Sequence, residues 1–240
     1  MKSIFIRTLY APALLVGALL LGGCEEVDCI KGQGEVESRT LELEPMKEVE
    51  VNGSFRVYLK QGAQQQVVVK GEPNVLNELR TNVAGDKWKI EFRRCIRRNK
   101  PVEVYLTLPQ VTSLYLNGSG QLISENKLTA PNLALELNGS GVIELEVAAN
   151  KLITKKTGSG EILLGGEARE HHLQMAGSGK VALYNLQSED VRVKLAGSGT
   201  AEVSASQSLH VEIDGSGKVY YIGNPNLTQR ISGSGKVIQR

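Results

Sequence analysis

Three cysteines are the most reactive side chains in this chain of 240 residues. Cys24 ends a Leu-Gly-Gly-Cys sequence, after an apolar run over residues 9–20 that two basic residues precede. This pattern resembles the bacterial lipobox, in which the cysteine is acylated. It predicts a lipoprotein signal peptide over residues 1–23, lipidation of Cys24 and an anchor linker over residues 24–35. The alternative is a buried amino-terminal helix with a free thiol.

Lipidation of Cys24 would leave Cys29 and Cys95 as an even pair of thiols. In the oxidising compartment that a secretory signal implies, such a pair predicts one disulfide. The alternative is two buried thiols. Neither cysteine has a partner at the spacing of metal ligands, so the sequence predicts no metal site.

Carboxylates and histidines are too scattered for acid–base catalysis. An enzyme that cleaves polysaccharide on a stacked β fold needs acids in register for calcium or proton transfer. Glu144, Glu161 and Glu202 recur at similar places but skip intervening repeats, and the pair His171-His172 has no evident partner. The aspartates are Asp28, Asp86, Asp190 and Asp214. We therefore predict no enzymatic activity and no cofactor.

A basic cluster surrounds Cys95, at the tip of a predicted hairpin. It could contact anionic lipid headgroups, lipopolysaccharide or an acidic glycan. The alternative is a solvated loop that keeps a sheet edge soluble. The formal net charge of the whole chain is only +2, which argues against nucleic-acid binding. The cluster consists of Lys87, Lys89, Arg93, Arg94, Arg97, Arg98 and Lys100.

A Gly-Ser-Gly triplet repeated seven times indicates how the chain is organised. The spacings between successive triplets are 21, 19, 19, 20, 18 and 18 residues, and Asn52-Gly53-Ser54-Phe55 is a degenerate eighth copy. We interpret the glycines as turn positions where adjacent backbones stack closely. The triplet glycines are Gly118 and Gly120, Gly139 and Gly141, Gly158 and Gly160, Gly177 and Gly179, Gly197 and Gly199, Gly215 and Gly217, and Gly233 and Gly235.

Apolar residues alternate with polar ones on both sides of the triplets, a pattern typical of strands. One short strand on each side of a turn, at a period of 18–21 residues, predicts an all-β, single-stranded parallel β-helix of about seven coils. An unbroken pleat would place both glycines inside and the serine outside. One coil departs from the pattern, because Thr154 and Lys156 occupy positions that carry leucine in neighbouring coils.

Residues 36–110 keep the alternation without the strict repeat, whereas residues 111–240 are regular. We predict irregular first coils that form a broader amino-terminal β cap, continuous with the solenoid. At the other end the last triplet lies five residues before Arg240. The final coil would then present an open edge. Either Lys236 and Arg240 discourage pairing there, or two such edges pair in a homodimer.

The ensemble of motifs resembles the putative auto-transporter adhesin, head GIN domain family of bacterial lipoproteins. The segments that carry the resemblance are residues 29–34, residues 49–62, Pro73-Asn74-Val75-Leu76, Trp88-Lys89-Ile90 and the triplet array. The resemblance implies a right-handed parallel β-helix over residues 36–240 and a location in the cell envelope. It supplies no catalytic residues to carry over.

Three functions remain open at this stage. The first is a non-enzymatic outer-membrane lipoprotein, facing the periplasm or the cell surface, that acts as an adhesin or scaffold for a glycan or envelope protein. The second is a polysaccharide-acting β-helix enzyme. The third is an accessory protein of envelope stress or assembly.

Overall fold

The computed structural model describes residues 29–240, so Cys24 and the signal segment lie outside the described residues. Its single helix, α1, spans Pro73–Leu76, and the remaining elements are strands. In the amino-terminal part these are β1 (Ile30–Lys31), β2 (Glu37–Thr40), β3 (Glu48–Asn52), β4 (Arg56–Gln61), β5 (Gln66–Gly71), β6 (Val83–Ala84), β7 (Lys87–Ile90), β8 (Ile96–Arg98) and β9 (Glu103–Leu108). The repeats contain β10 (Ser113–Gly118), β11 (Gln121–Ser124), β12 (Leu128–Gly139), β13 (Val142–Thr157), β14 (Glu161–Gly177), β15 (Lys180–Leu183), β16 (Leu186–Gly197), β17 (Thr200–Ser204), β18 (Ser208–Gly215), β19 (Lys218–Ile222), β20 (Asn226–Gly233) and β21 (Lys236–Gln239).

Each coil pairs in parallel with the next coil, which confirms the predicted parallel β-solenoid of about seven turns. Strands before the triplets form one ladder, in which Leu116 pairs with Leu137 and Gly118 with Gly139. Strands after the triplets form a second ladder, in which Leu122 pairs with Ile143. The long strands β13 and β14 run through both ladders. Pairing at one full repeat keeps every side chain in phase with its neighbours.

The core is a pair of apolar rows that run along the axis of the solenoid. Leu116, Leu137 and Met175 belong to the row before the triplets, and Leu122 and Ile143 to the row after them; each is at most 2% exposed. Burial of one such side chain contributes roughly 1.5–3 kcal/mol to the free energy of unfolding. Because each coil supplies only a few of these side chains, a coil cannot be stable without its neighbours.

The two glycines of a triplet have different roles. The first adopts a positive φ, as at Gly118 (φ 120°), which side chains other than glycine rarely adopt. The second has no positive φ. Both make room for the coil before them, because a Cβ would lie 2.8 Å from the Gly53 carbonyl oxygen at Gly118 and 2.9 Å from Cδ2 of Leu116 at Gly141. In the described coils only second glycines reach the buried class, so the expectation that both point inward is wrong for the first glycine. The backbone bend at its positive φ breaks the alternation there.

The spatial order of the amino-terminal coils differs from their order in the chain. Strands β3 and β4 stack directly on β10 and β11, so the degenerate triplet at Gly53 completes the column of turns. Strands β7 and β9 then pair with the opposite edges of β3 and β4. Strands β5 and β2 follow in antiparallel pairing beyond β9. The broader amino-terminal cap stays a prediction.

The predicted hairpin around Cys95 is not formed in the described chain. Strand β7 pairs with β3 and, in antiparallel fashion, with β6, whereas β8 pairs with β1. The segment that carries Cys95 therefore connects a strand paired with β3 to a strand paired with β1. Sequence alternation alone could not distinguish these partners.

Candidate functional site

A disulfide joins the start of the described chain to the basic segment. The Cα atoms of Cys29 and Cys95 lie 4.6 Å apart and their sulfur atoms are bonded. Strand β1 continues beside β8, where the Ile30 N–H donates to the Cys95 carbonyl at 2.9 Å. Cys29 and Ile30, which belong to the predicted linker over residues 24–35, are thus fixed on the body of the solenoid.

Two polar side chains near α1 hold the same segment in place. The buried Glu72 carboxylate accepts a hydrogen bond of 2.7 Å from the Lys100 N–H. It lies so close to Gly32 that a Cβ there would collide with it. The Asn74 amide accepts from the Gln33 N–H at 2.8 Å and donates to the Lys31 carbonyl at 2.7 Å. The segment is held by side chains from elsewhere in the fold as well as by the disulfide.

We expect no free thiol in unfolded protein of the Cys24→Ala variant without reductant, and two thiols after reduction. The disulfide closes a sequence separation of 66 residues, so its loss should cost roughly 4 kcal/mol in the chain-entropy model. The measurement is thiol titration in denaturant, followed by melts of Cys29→Ser/Cys95→Ser. Two reactive thiols before reduction would contradict the bridge.

The basic cluster divides into paired and unpaired side chains. Nζ of Lys87 lies 3.4 Å from Glu48, Nζ of Lys89 lies 3.7 Å from Glu50 and Nζ of Lys100 lies 3.3 Å from Glu35. The Arg93 guanidinium donates to the carbonyl of Asn77. These cations largely serve structural contacts.

Arg97 and Arg98 remain available on the exposed face of β8. Lys31 is their neighbour on β1, where it is the register partner of Arg98. All three side chains are exposed, and none has an ion pair within residues 29–240. The sequence predicted the cluster, whereas the structure shows which of its members are free to meet a ligand.

The polar residues that interrupt the repeat form a closed cluster inside the core. Thr154, Lys156 and His171 are each at most 1% exposed. The Thr154 hydroxyl and Nε2 of His171 share a hydrogen bond of 3.0 Å, and Nζ of Lys156 donates to the Gly158 carbonyl at 2.8 Å. Burial lowers the pKa of His171 to about 3 and also lowers the pKa of Lys156. Thr154 and His171 have no access to solvent and therefore no route to a substrate.

The expectation that His171-His172 lacks partners is therefore wrong. The His171 ring is hydrogen-bonded to Thr154 of the adjacent coil, and Nε2 of His172 lies 2.6 Å from the Glu170 carboxylate on the outside. The signal in the sequence was the pair of positions where Thr154 and Lys156 replace leucine. The contact could not be predicted from the repeat, because Thr154 and His171 lie on adjacent coils without being register partners.

Glu144 and Glu202 lie too far apart to form a catalytic pair of carboxylates. Glu144 and Glu202 share an outward row but are separated by Leu163 and Ala182, so they lie about 14 Å apart at the usual strand spacing. Paired carboxylates of glycosidases lie about 5–9.5 Å apart. Glu202 is also engaged by Lys180, at 3.1 Å. Within residues 29–240 no three histidine, cysteine or acidic side chains form a group that could hold a metal ion.

Two extended surfaces run along the repeats. The first is a column of exposed serines at the turns: Ser119, Ser140, Ser159, Ser178, Ser198, Ser216 and Ser234. The second is a groove of about 610 Å³ on the ladder before the triplets. Its small residues Ala176 and Ala196 are flanked by Lys155, Lys194 and Arg230. Both surfaces follow the axis and suit an elongated ligand better than a compact one.

The groove was not identified from the sequence. Its signal is the residue immediately before each triplet, which is threonine or alanine in the middle coils. In earlier coils the same position carries asparagines, which form a ladder: Asn138 donates to Asn117 at 3.0 Å and Asn117 donates to Asn52 at 2.8 Å. Shortening of that side chain opens the groove where the ladder ends.

Comparison with protein families identifies the fold. The family model described as "Putative auto-transporter adhesin, head GIN domain" matches residues 45–225. The chain belongs to this family. A search of the curated proteins found no match to this GIN-domain chain. In the part of the chain that the structure describes, no helix has the length and apolar character needed to cross a bilayer.

Solved structures share the fold of the GIN-domain chain. A putative adhesin from Bacteroides fragilis is 21% identical, with a TM-score of 0.83 over 88% of this chain and 100% of that one. A putative lipid binding protein from Parabacteroides distasonis is 23% identical, with a TM-score of 0.74 over 88% and 99%. A putative adhesin from the same species is 22% identical, with a TM-score of 0.75 over 89% and 100%. At these identities the likeness shows the fold alone.

Proposed function

We propose that this GIN-domain chain is a non-enzymatic, adhesin-like interaction module of the cell envelope, anchored through lipid on Cys24. Its family carries an adhesin description, and two of the solved structures with its fold are called adhesins. The scattered glutamates argue against the alternative of a polysaccharide-acting enzyme. In this proposal residues 1–23 are a signal peptide, residues 24–35 a linker and residues 36–240 the binding domain.

The observation that carries the proposal is the groove beside the triplets. It crosses several coils, and equivalent positions recur along its lining at the coil spacing of about 4.8 Å, with side chains that differ from coil to coil. A polymer with a regular repeat, such as a glycan chain, can use such a surface in many registers. Of the cations on its side, Lys194 is paired with Glu212 at 3.1 Å, and Glu136 and Asp214 line the same groove. Lys155 and Arg230 are therefore the cations that would contact acidic groups of a polymer.

Filling the groove should abolish binding to an acidic polysaccharide. We expect Ala176→Glu/Ala196→Glu to weaken retention on immobilised polygalacturonate at least tenfold, because it adds bulk and negative charge at the groove floor. The control is Ala182→Glu, compared with each single variant Ala176→Glu and Ala196→Glu, because it adds one glutamate to an outward row of the other ladder. Equal retention of all these proteins, or no retention of the unmodified protein on acidic or neutral glycans, would contradict a glycan-binding groove.

The fold is equally compatible with a role as an accessory protein of envelope assembly. The two roles differ in where the solenoid faces. Surface proteolysis of intact cells separates them, because a solenoid that faces only the periplasm cannot act as a primary adhesin. The predicted homodimer through β20 and β21 belongs to the same proposal, and light scattering measures it directly.

A further inference from the structure

The exposed basic residues Lys31, Arg97 and Arg98 form a surface that we call the basic end. Register pairing of β1 with β8 places Lys31 beside Arg98, and Arg97 precedes Arg98 on the same strand. Unlike Lys87, Lys89 and Lys100, the three residues of the basic end make no ion pair within residues 29–240. Their charges therefore face solvent without compensation from the fold.

The covalent structure places the basic end next to the predicted lipidation site. Cys29 lies five positions after Cys24, which limits the distance between their Cα atoms to about 18 Å in a fully extended chain. The disulfide fixes Cys29 on Cys95, two residues before Arg97. A bilayer that holds the acyl group of Cys24 must then lie close to the basic end.

We propose that the basic end binds the anionic headgroups of the bilayer in which Cys24 is anchored. The inference rests on the lipid anchor of the proposed function and adds a second contact to it. Anchoring alone fixes one atom and leaves the solenoid free to tilt. Electrostatic contact at the basic end sets its orientation and directs the later coils, which contain the groove, away from the membrane.

The net charge of the segments around the basic end supports an anionic surface as the partner. Residues 25–35 and 93–100 together contain six basic and four acidic side chains. The acids include Glu25, Glu26 and Asp28 of the linker, so the attraction is moderate and sensitive to salt. A moderate contact suits an orienting role, because the acyl group already supplies the affinity.

Vesicle co-sedimentation of an acyl-free chain that begins at Glu25 tests the contact independently of the anchor. The described contacts lie within residues 29–240, and thermal melts of each protein check the fold. The vesicles contain phosphatidylcholine alone or with about one third phosphatidylglycerol. We expect at least tenfold more binding to the anionic vesicles at low salt, and loss of this preference in concentrated sodium chloride.

Variants locate the contact. Arg97→Gln/Arg98→Gln should lower binding to the anionic vesicles about tenfold. Lys218→Gln/Lys236→Gln removes two adjacent exposed cations from the last coils and should change binding less than twofold. Equal binding to both kinds of vesicle, or an equal loss in the two variants, would overturn the proposal.

Two further outcomes separate this proposal from others. Retention on polygalacturonate that depends on Arg97 and Arg98, without binding to anionic vesicles, would assign the basic end to a glycan and overturn the membrane contact. Labelled palmitate should enter the full-length chain and not Cys24→Ala. Failure of that labelling would refute the lipid anchor, and with it the bilayer as the partner of the basic end, whatever the vesicles show.

Discussion

Gly179→Val should lower the melting temperature far more than Ser178→Ala, although the two residues are adjacent in one turn. A Cβ at Gly179 would collide with the Gly160 carbonyl and with the end of the Lys156 side chain from the preceding coil. Valine must therefore push two coils apart, at a cost of several kcal/mol. Ser178 is exposed and its hydroxyl makes no hydrogen bond within the described chain, so alanine there should cost less than about 1 kcal/mol.

Gly177→Ala provides the matched test of the other glycine. Gly177 has a φ of 106°, and a Cβ there would also lie 2.6 Å from the Gly158 carbonyl oxygen, so a methyl group is opposed by backbone strain and by packing. Gly179 has no positive φ and is limited by packing alone. Thermal and denaturant melts of the three variants measure the effects. A Gly179→Val protein that melts like the unmodified protein would show that adjacent coils do not press on the second glycine.

Acidification should destabilise the solenoid through His171. Burial, with a smaller contribution from the charge of His172, lowers the pKa of His171 to about 3 from an ordinary value near 6.5. The unfolded chain therefore binds a proton on this ring that the folded chain excludes. The stabilisation is complete above pH 6.5 and is lost as the pH falls toward 3, by roughly 3 to 5 kcal/mol in all.

Thr154→Val/His171→Leu should flatten the dependence of unfolding free energy on pH between 7 and 4. The double variant removes both partners of the buried hydrogen bond, so neither is left unsatisfied. The control is His210→Gln, which removes a half-exposed histidine beside Glu212 and should leave the slope in place. If the double variant keeps the slope of the unmodified protein, the buried imidazole is not its cause.

The spacing of the triplets and the alternation around them were sufficient to predict the stacked coils. In a solenoid each strand pairs with the equivalent strand of the next repeat, so the partner of Leu116 is known once the period is known. The exposed serines follow from the same alternation, because Ser178 and its equivalents occupy the outward phase. Local periodicity is enough when long-range contacts are separated by a constant number of residues.

The tertiary structure alone decided contacts that do not follow the period. Strands β7 and β9 stack outside β3 and β4, and β2 and β5 run antiparallel, because the irregular first third offers several edges of similar polarity. Thr154 meets His171 diagonally between coils. Lys87 and Lys89 form ion pairs with glutamates on β3. Arg97 has no such partner, because β8 pairs with β1 and not with β3. Which charges remain free depends on which chain segments become neighbours, and that is settled only when the whole chain has packed.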